Sequence, residues 1–220
     1  MSYLPALCNY GVSDAEKGKA DNKAELQRLF GLPESPSVPV IAMVSRLASH
    51  KGFDLVRYAM ERILEKPVQF VLLGTGESGL EAFFESVARL HPDRVGVMFA
   101  FNKALAKQIY AGADLFLMPS KSEPCGLAQM IASRYGAIPI VREVGGLYDT
   151  IHAFDPTTGT GNGVTFYSYD AMDMLDAVHR ALNLYEDRES WAVLRRNAME
   201  MDFSWNASAK QYLSLYHQFF

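Results

Sequence analysis

Short runs of unbroken apolar residues alternate along the chain with longer stretches whose apolar residues recur every three or four positions. The short runs, at 40–44, 68–73, 95–99, 115–118 and 138–141, read as strands, and 163–166 offers a sixth. The longer stretches read as amphipathic helices. Residues 53–66 carry Phe53, Val56, Met60, Ile63 and Leu64 at helical spacing, and 80–90 turns Phe83, Phe84 and Val87 inward. Helices follow at 104–111, at 171–185 behind the N-cap Asp170, and at 189–199. Another opens at Gly126, with Leu127, Met130, Ile131 and Tyr135 on its apolar face. Strands that are apolar throughout, joined by helices, make a parallel sheet covered on both faces. The fold class is therefore doubly wound α/β.

The flanks are less regular. Residues 1–18 show no clean period; 20–30 form a short helix with Leu26, Leu29 and Phe30 on its apolar side and Gly31 as its stop. Residues 1–37 thus read as a lead-in, 38–200 as the sheet domain, and 201–220 as a final segment with a helix over 207–220. That helix carries Tyr212, Leu213, Leu215, Tyr216, Phe219 and Phe220, too apolar for a solvated tail.

In an open α/β sheet the ligand crevice lies beyond the carboxyl ends of the strands. The loops at those ends hold Ser45, Arg46, His50 and Lys51, then Gly74 to Gly79, Phe101 and Asn102, Lys121 to Glu123, and finally Arg142 to Gly146. Arg46, Lys51, Lys121 and Arg142 form a cationic rim with glycine-rich backbone between them, which suits phosphate. Glu123 would be repelled by phosphate, so its natural partner is a hydroxyl-bearing group on the same ligand. Phosphate with hydroxyls suggests a nucleotide sugar. Phe101 either stacks on a base or belongs to the core.

Other chemistries fit less well. Gly74-Thr75-Gly76-Glu77-Ser78-Gly79 matches the dinucleotide spacing G-x-G-x-x-G, but the next strand ends in Phe99 to Lys103 without the carboxylate that holds a ribose. No G-x-x-x-x-G-K-[ST] occurs. Cys125 beside a helix start would have its thiol activated, but no histidine is placed near it by sequence. The five histidines show no metal-ligand spacing. A net charge of −4 argues against nucleic acid, and no apolar run reaches membrane-spanning length. Two cysteines, Cys8 and Cys125, suit a reducing compartment.

Taken together, several runs resemble the C-terminal domain of bacterial glycogen synthases and plant starch synthases, retaining glucosyltransferases of the GT-B fold. They are Ser45-Arg46-Leu47 through Lys51-Gly52-Phe53-Asp54-Leu55, Leu73 to Gly76, Ser122 to Leu127, Gly145 to Thr150, and Met201 to Trp205. The likeness runs collinearly from about Tyr3 to Phe220. It implies that Arg46 and Lys51 grip the diphosphate of ADP-glucose and that Glu123 engages the glucosyl unit. Gly74, Gly76, Phe101, Cys125, Gly126, Leu127, Ala128, Gly145 and Gly146 would complete the nucleotide-sugar site, with Phe101 against adenine and no metal or other cofactor. Ala128 stands where threonine is common. Lys121 and Ser122 stand where arginine and phenylalanine are frequent. Ile131, eight residues after Glu123, replaces the second glutamate of more distant relatives.

The same resemblance implies an N-terminal domain, absent from these residues, that completes the site and holds the α-1,4-glucan acceptor. The expectation is a chain that binds ADP-glucose or ADP without turnover, in the cytoplasm or a plant plastid. Its apolar final helix would pack on that other domain or pair two copies. Two alternatives stay open: a non-catalytic nucleotide-binding module, and a GT-B transferase using a UDP- or GDP-sugar.

Overall fold

A computed structural model describes residues 8–218. The expected likeness at Tyr3 and the side chains of Phe219 and Phe220 lie outside that span. After a short 3-10 turn come α1 (Ala15–Leu29), β1 (Val40–Val44), α2 (Phe53–Leu64), β2 (Gln69–Leu73), α3 (Ser78–Leu90), β3 (Val95–Met98), α4 (Lys103–Gly112) and β4 (Leu115–Met118). They are followed by α5 (Ala128–Arg134), β5 (Ile138–Arg142), α6 (Gly146–Thr150), β6 (Val164–Phe166), α7 (Ala171–Glu186), α8 (Arg188–Glu200) and α9 (Trp205–Tyr216).

The six strands form one parallel sheet in the order β3-β2-β1-β4-β5-β6. Alternate residues of each strand face opposite layers. Ile41, Met43, Phe70, Leu72, Leu115 and Leu117 meet the buried faces of α2, α3 and α7. Val40, Ala42, Val71, Leu73 and Phe116 point the other way, toward α4 and the Leu26 end of α1. The chain winds outward from β1 on one side and from β4 on the other. The order reverses between these two strands, which sets a ligand crevice at their carboxyl ends. Asp170 caps α7 as its sequence position implies, accepting from the amides of Met172 and Asp173.

Two helices differ from their hydrophobic patterns. α1 starts at Ala15, ahead of the expected 20–30, and its inward face is largely polar: Lys19, Asn22, Lys23 and Gln27 are buried beside Leu26. No apolar period announces such a face. In α5 the expected apolar side is turned round: Gln129, Ala132 and Ser133 are buried, while Leu127 and Ile131 are exposed. The helix also starts two residues after Gly126, which takes the left-handed conformation (φ 74°) instead of opening it. At the end of the chain, α9 keeps Trp205, Tyr212, Leu213, Leu215 and Tyr216 exposed and buries none of its described side chains.

Candidate functional site

Backbone contacts between loops build the crevice. The β1 loop lies against the β2 loop through the amide of Leu47 donating to Thr75 O (3.0 Å) and that of Glu77 donating to Leu47 O (2.8 Å). A Cβ on Gly74 would stand 1.8 Å from Ser45 O, and one on Gly76 would stand 2.0 Å from Leu47 O. Only glycine lets the two loops approach this closely. The Gly76 amide is held by the Glu81 carboxylate at 2.8 Å, and that of Gly74 by Met98 O at 3.2 Å. These glycines therefore shape the wall with their amides already engaged.

The β1 loop also touches the β4 loop. Lys121 N donates to His50 O (2.9 Å), and the Cα of Gly52, at φ 77°, packs against Pro119 O. This delivers Lys51 to Glu123: Nζ donates to Oε2 at 2.6 Å. Ser120 Oγ donates to the same oxygen at 3.1 Å, and Glu123 is only 8% exposed. Arg46 is exposed at the rim.

Two cavities open side by side here. One, of about 130 Å³, lies between β1 and β4 and is lined by Lys51, Ser120, Glu123, Gly126, Leu127 and Ala128, among others. The second, of about 220 Å³, lies beside β2 and is lined by Arg46, Leu73, Gly74, Phe101, Asn102 and Ala106, among others. Val44 and Ser45 line both, so the two cavities are adjacent. Phe101 is not core: it is 86% exposed at the mouth of the second cavity. Asn102 has a structural task, capping α4 by accepting from Ala104 N and Leu105 N.

The rim expected from sequence divides. Arg46 and Lys51 line the cavities. Arg142 does not extend into them: its guanidinium donates to Ser120 O (3.0 Å) and Lys121 O (2.7 Å), bracing the β4 loop. Arg142 and Lys121 both lie over the Tyr169 ring, at 5.4 and 5.6 Å. The Tyr169 hydroxyl donates to Asp54 (2.6 Å), and its acidity is suppressed, first by desolvation and then by that carboxylate. Gly145 and Gly146 stand behind the loop, of which the exposed Cys125 is part. A Cβ on Gly145 would lie 2.4 Å from Glu123 O, and one on Gly146 2.0 Å from Cys125 O.

Sequence reasoning passed over Gln129. This fully buried side chain donates from Nε2 to Cys125 O (3.1 Å), Gly126 O (3.0 Å) and Thr150 Oγ1 (3.1 Å). It ties the site loop to α6 from beneath. The signal was a glutamine inside an apparently apolar helix. Among the described residues, no cluster of three or more His, Cys, Asp or Glu is placed to hold a metal, and no helix is long and apolar enough to cross a membrane.

Residues 29–198 match the family profile of the group 1 glycosyl transferases. Glycogen synthase from Bacillus cereus (strain B4264) is 52% identical over 198 residues, which are 90% of this chain and 42% of that protein. Glycogen synthase from Anoxybacillus flavithermus is 52% identical over 200 residues, 91% of this chain and 41% of its own length. The chain thus spans well under half the length of these relatives. Among solved structures, the catalytic domain of starch synthase IV from Arabidopsis thaliana, bound to ADP and acarbose, superimposes with a TM-score of 0.86 at 39% identity. That match covers 98% of this chain and 45% of the other. Sucrose-phosphate synthase from Thermosynechococcus elongatus shares the fold, with a TM-score of 0.65 at 23% identity.

Proposed function

The chain belongs to the group 1 glycosyl transferases, and from that premise we propose that it is the donor-binding half of a retaining glucosyltransferase. In this reading it serves transfer of glucose from ADP-glucose to the non-reducing end of an α-1,4-glucan. The observation that carries the reading is the pair of adjacent cavities at the sheet's switch point. One is largely apolar and edged by Phe101; the other holds Lys51 beside Glu123.

Adenine occupies the first cavity against Phe101, and the diphosphate crosses Val44 and Ser45 toward Arg46 and Lys51. The glucosyl unit reaches Glu123, whose carboxylate accepts from its hydroxyls. As the glycosidic bond breaks, negative charge grows on the leaving ADP. Fixed cations and the unpaired amides at the start of α5 stabilise that charge. The proposal assigns this task to Arg46, Lys51 and backbone amides, with no metal. Gly126, Leu127 and Ala128 are the wall of the phosphate position. Gly74 is part of the cavity wall, whereas Gly76, Cys125, Gly145 and Gly146 act by holding the loops in place.

The similarity to synthases more than twice as long supports an acceptor-binding wall supplied from outside these residues. The exposed apolar face of α9 would pack against it or pair two copies. The two described cysteines, both free, fit a reducing cytoplasm. We expect donor binding without glucan extension.

Calorimetry with ADP-, UDP- and GDP-glucose tests the reading. ADP-glucose should bind most tightly, and Arg46→Ala and Lys51→Ala should each abolish measurable binding. Absence of adenine-nucleotide affinity would overturn the donor site. A preference for UDP- or GDP-glucose would keep the site and change its donor. Binding of nucleotide with no discrimination for the glucosyl unit would favour a non-catalytic nucleotide module.

A further inference from the structure

A cavity of about 500 Å³ lies at the opposite, amino-terminal end of the strands, between α1 and α8. Its floor is Asp114, which directly precedes β4, so it is remote from the crevice at the strands' carboxyl ends. α1 contributes Glu16, Lys19 and Lys23, and α8 contributes Arg188, Trp191 and Arg195. Both sets recur at intervals of three, four and seven residues. Each is a single helical face, the kind that ordinarily packs on a neighbour. Here the two faces stand apart and carry charge.

The charges do not cancel. Lys23, Arg188 and Arg195, together with the basic Lys19, line the cavity against the two carboxylates of Glu16 and Asp114, in a chain whose net charge is −4. Asp114 is already committed, accepting from Lys23 Nζ at 2.7 Å and from the Val40 amide at 2.9 Å. Lys19 is 3% exposed, and its ammonium touches only carbonyl oxygens, Ala111 O and Tyr135 O, both at 3.1 Å. Arg188 lies over the Tyr185 ring at 5.3 Å, and the alkyl stem of Arg195 rests beside Gly136. Neither arginine has a carboxylate partner among the described residues. Burial lowers the Lys19 pKa to about 7, opposed by the attraction of Asp114 and helped by the repulsion of Arg195 and Lys23. Concentrated positive charge with too few counter-charges is stabilised by an anion, and the guanidinium fork suits tetrahedral oxyanions.

We propose that this cavity is a second ligand site, distinct from the donor crevice, which binds an oxyanion of the phosphate type between Arg188 and Arg195. The ligand is either free orthophosphate or the terminal group of a small phosphomonoester; the chemistry of recognition is the same.

The test uses the whole chain and removes the other phosphate-binding region first. In an Arg46→Ala/Lys51→Ala background, orthophosphate and glycerol phosphate are titrated separately by calorimetry and by thermal shift. At least one should bind and raise the melting temperature. Further change of Arg188→Gln and Arg195→Gln should weaken that binding about tenfold or more. The circular dichroism of the variant should be unchanged, since both arginines reach the surface. Arg195→Lys, which keeps the charge and loses the fork, should fall between. Tighter binding of glycerol phosphate would identify a phosphomonoester site, and tighter binding of orthophosphate a free-ion site. The proposal is overturned if neither binds, if Arg188→Gln/Arg195→Gln leaves binding intact, or if binding disappears with Arg46 and Lys51 alone.

Discussion

Lys51 Nζ lies 2.6 Å from Glu123 Oε2, although the two residues come from loops of different strands and are 72 positions apart. Before any ligand arrives, the cation proposed to hold phosphate is neutralised by the carboxylate proposed to hold sugar. The pair is one-fifth exposed on the lysine side and one-tenth on the glutamate side, so neither charge is fully screened by water. Glu123→Gln should free Lys51 and tighten ADP binding about three- to tenfold. The same change should erase any preference for ADP-glucose over ADP. Lys51→Ala should abolish measurable ADP binding and also cost about 1–3 kcal/mol of stability, because it leaves a buried carboxylate with only Ser120 as partner. Calorimetry on the three proteins decides it; unchanged ADP affinity in Glu123→Gln would show that the ion pair does not compete with the diphosphate.

Gly146 tests whether the loop's position depends on what lies behind it. A Cβ there would meet Cys125 O at 2.0 Å, and backbone cannot swing away like a side chain. Gly146→Ala should therefore cost about 2–4 kcal/mol and impair nucleotide binding together with stability. Gly79→Ala is the contrast. It lies in α3 with nothing within 4 Å of the added carbon, and should gain about 0.5–1 kcal/mol from helix propensity. Equal denaturation midpoints for the two variants would remove the packing argument.

The alternation of strand and helix was legible because each strand is apolar on both faces and each of α2, α3 and α7 shows a full apolar stripe. Those elements follow from burial alone. α1 and α5 were harder to read because their buried faces are made from Lys19, Asn22, Lys23, Gln129 and Ser133, whose partners come from distant parts of the chain. Lys23, for example, is satisfied by Asp114 and Tyr185. The site was legible as a set of loops but not as an arrangement. Sequence placed Arg142 on the rim with Arg46, whereas its hydrogen bonds to Ser120 O and Lys121 O turn it into a brace. Nor did sequence show that Gly74 and Gly76 lie against Ser45 O and Leu47 O, packing the first two loops together.

Lys19 gives the protein a pH dependence of definite sign. Its folded-state pKa is about 7, lowered chiefly by burial, against 10.5 for an ordinary lysine. Between those values the unfolded chain holds a proton that the folded chain has lost, so stability rises with pH across the window. The limiting slope is about 1.4 kcal/mol per pH unit. Tyr10 and Tyr110, whose ionisation is suppressed first by burial, oppose this only above pH 10. Denaturant midpoints at pH 7.5 and 9.5 should diverge in the native chain by more than in Lys19→Met, where Tyr10 still donates to Tyr135 O at 2.7 Å. An identical pH response in both proteins would remove Lys19 as the source.

Gln129 separates support of the site from contact with ligand. Its amide nitrogen faces Cys125 O and Gly126 O, while its Oε1 is buried without a partner among the described residues. Gly126 has no Cβ, and one would lie 2.4 Å from Oε1, so the left-handed glycine and the glutamine fit each other. Gln129→Leu removes all three donations and strands two carbonyls; the loss should be about 1–3 kcal/mol, eased by relief of the orphan oxygen. Gln129→Glu should be worse than leucine, because a carboxylate would face carbonyl oxygens with nothing to donate. Both variants should bind ADP less tightly through a looser β4 loop, without altering the preference for ADP-glucose over ADP that depends on Glu123. The order native, leucine, glutamate in chemical denaturation, with that preference retained, marks Gln129 as a positioning residue. A glutamate variant as stable as the native chain would show that the loop is held by other means.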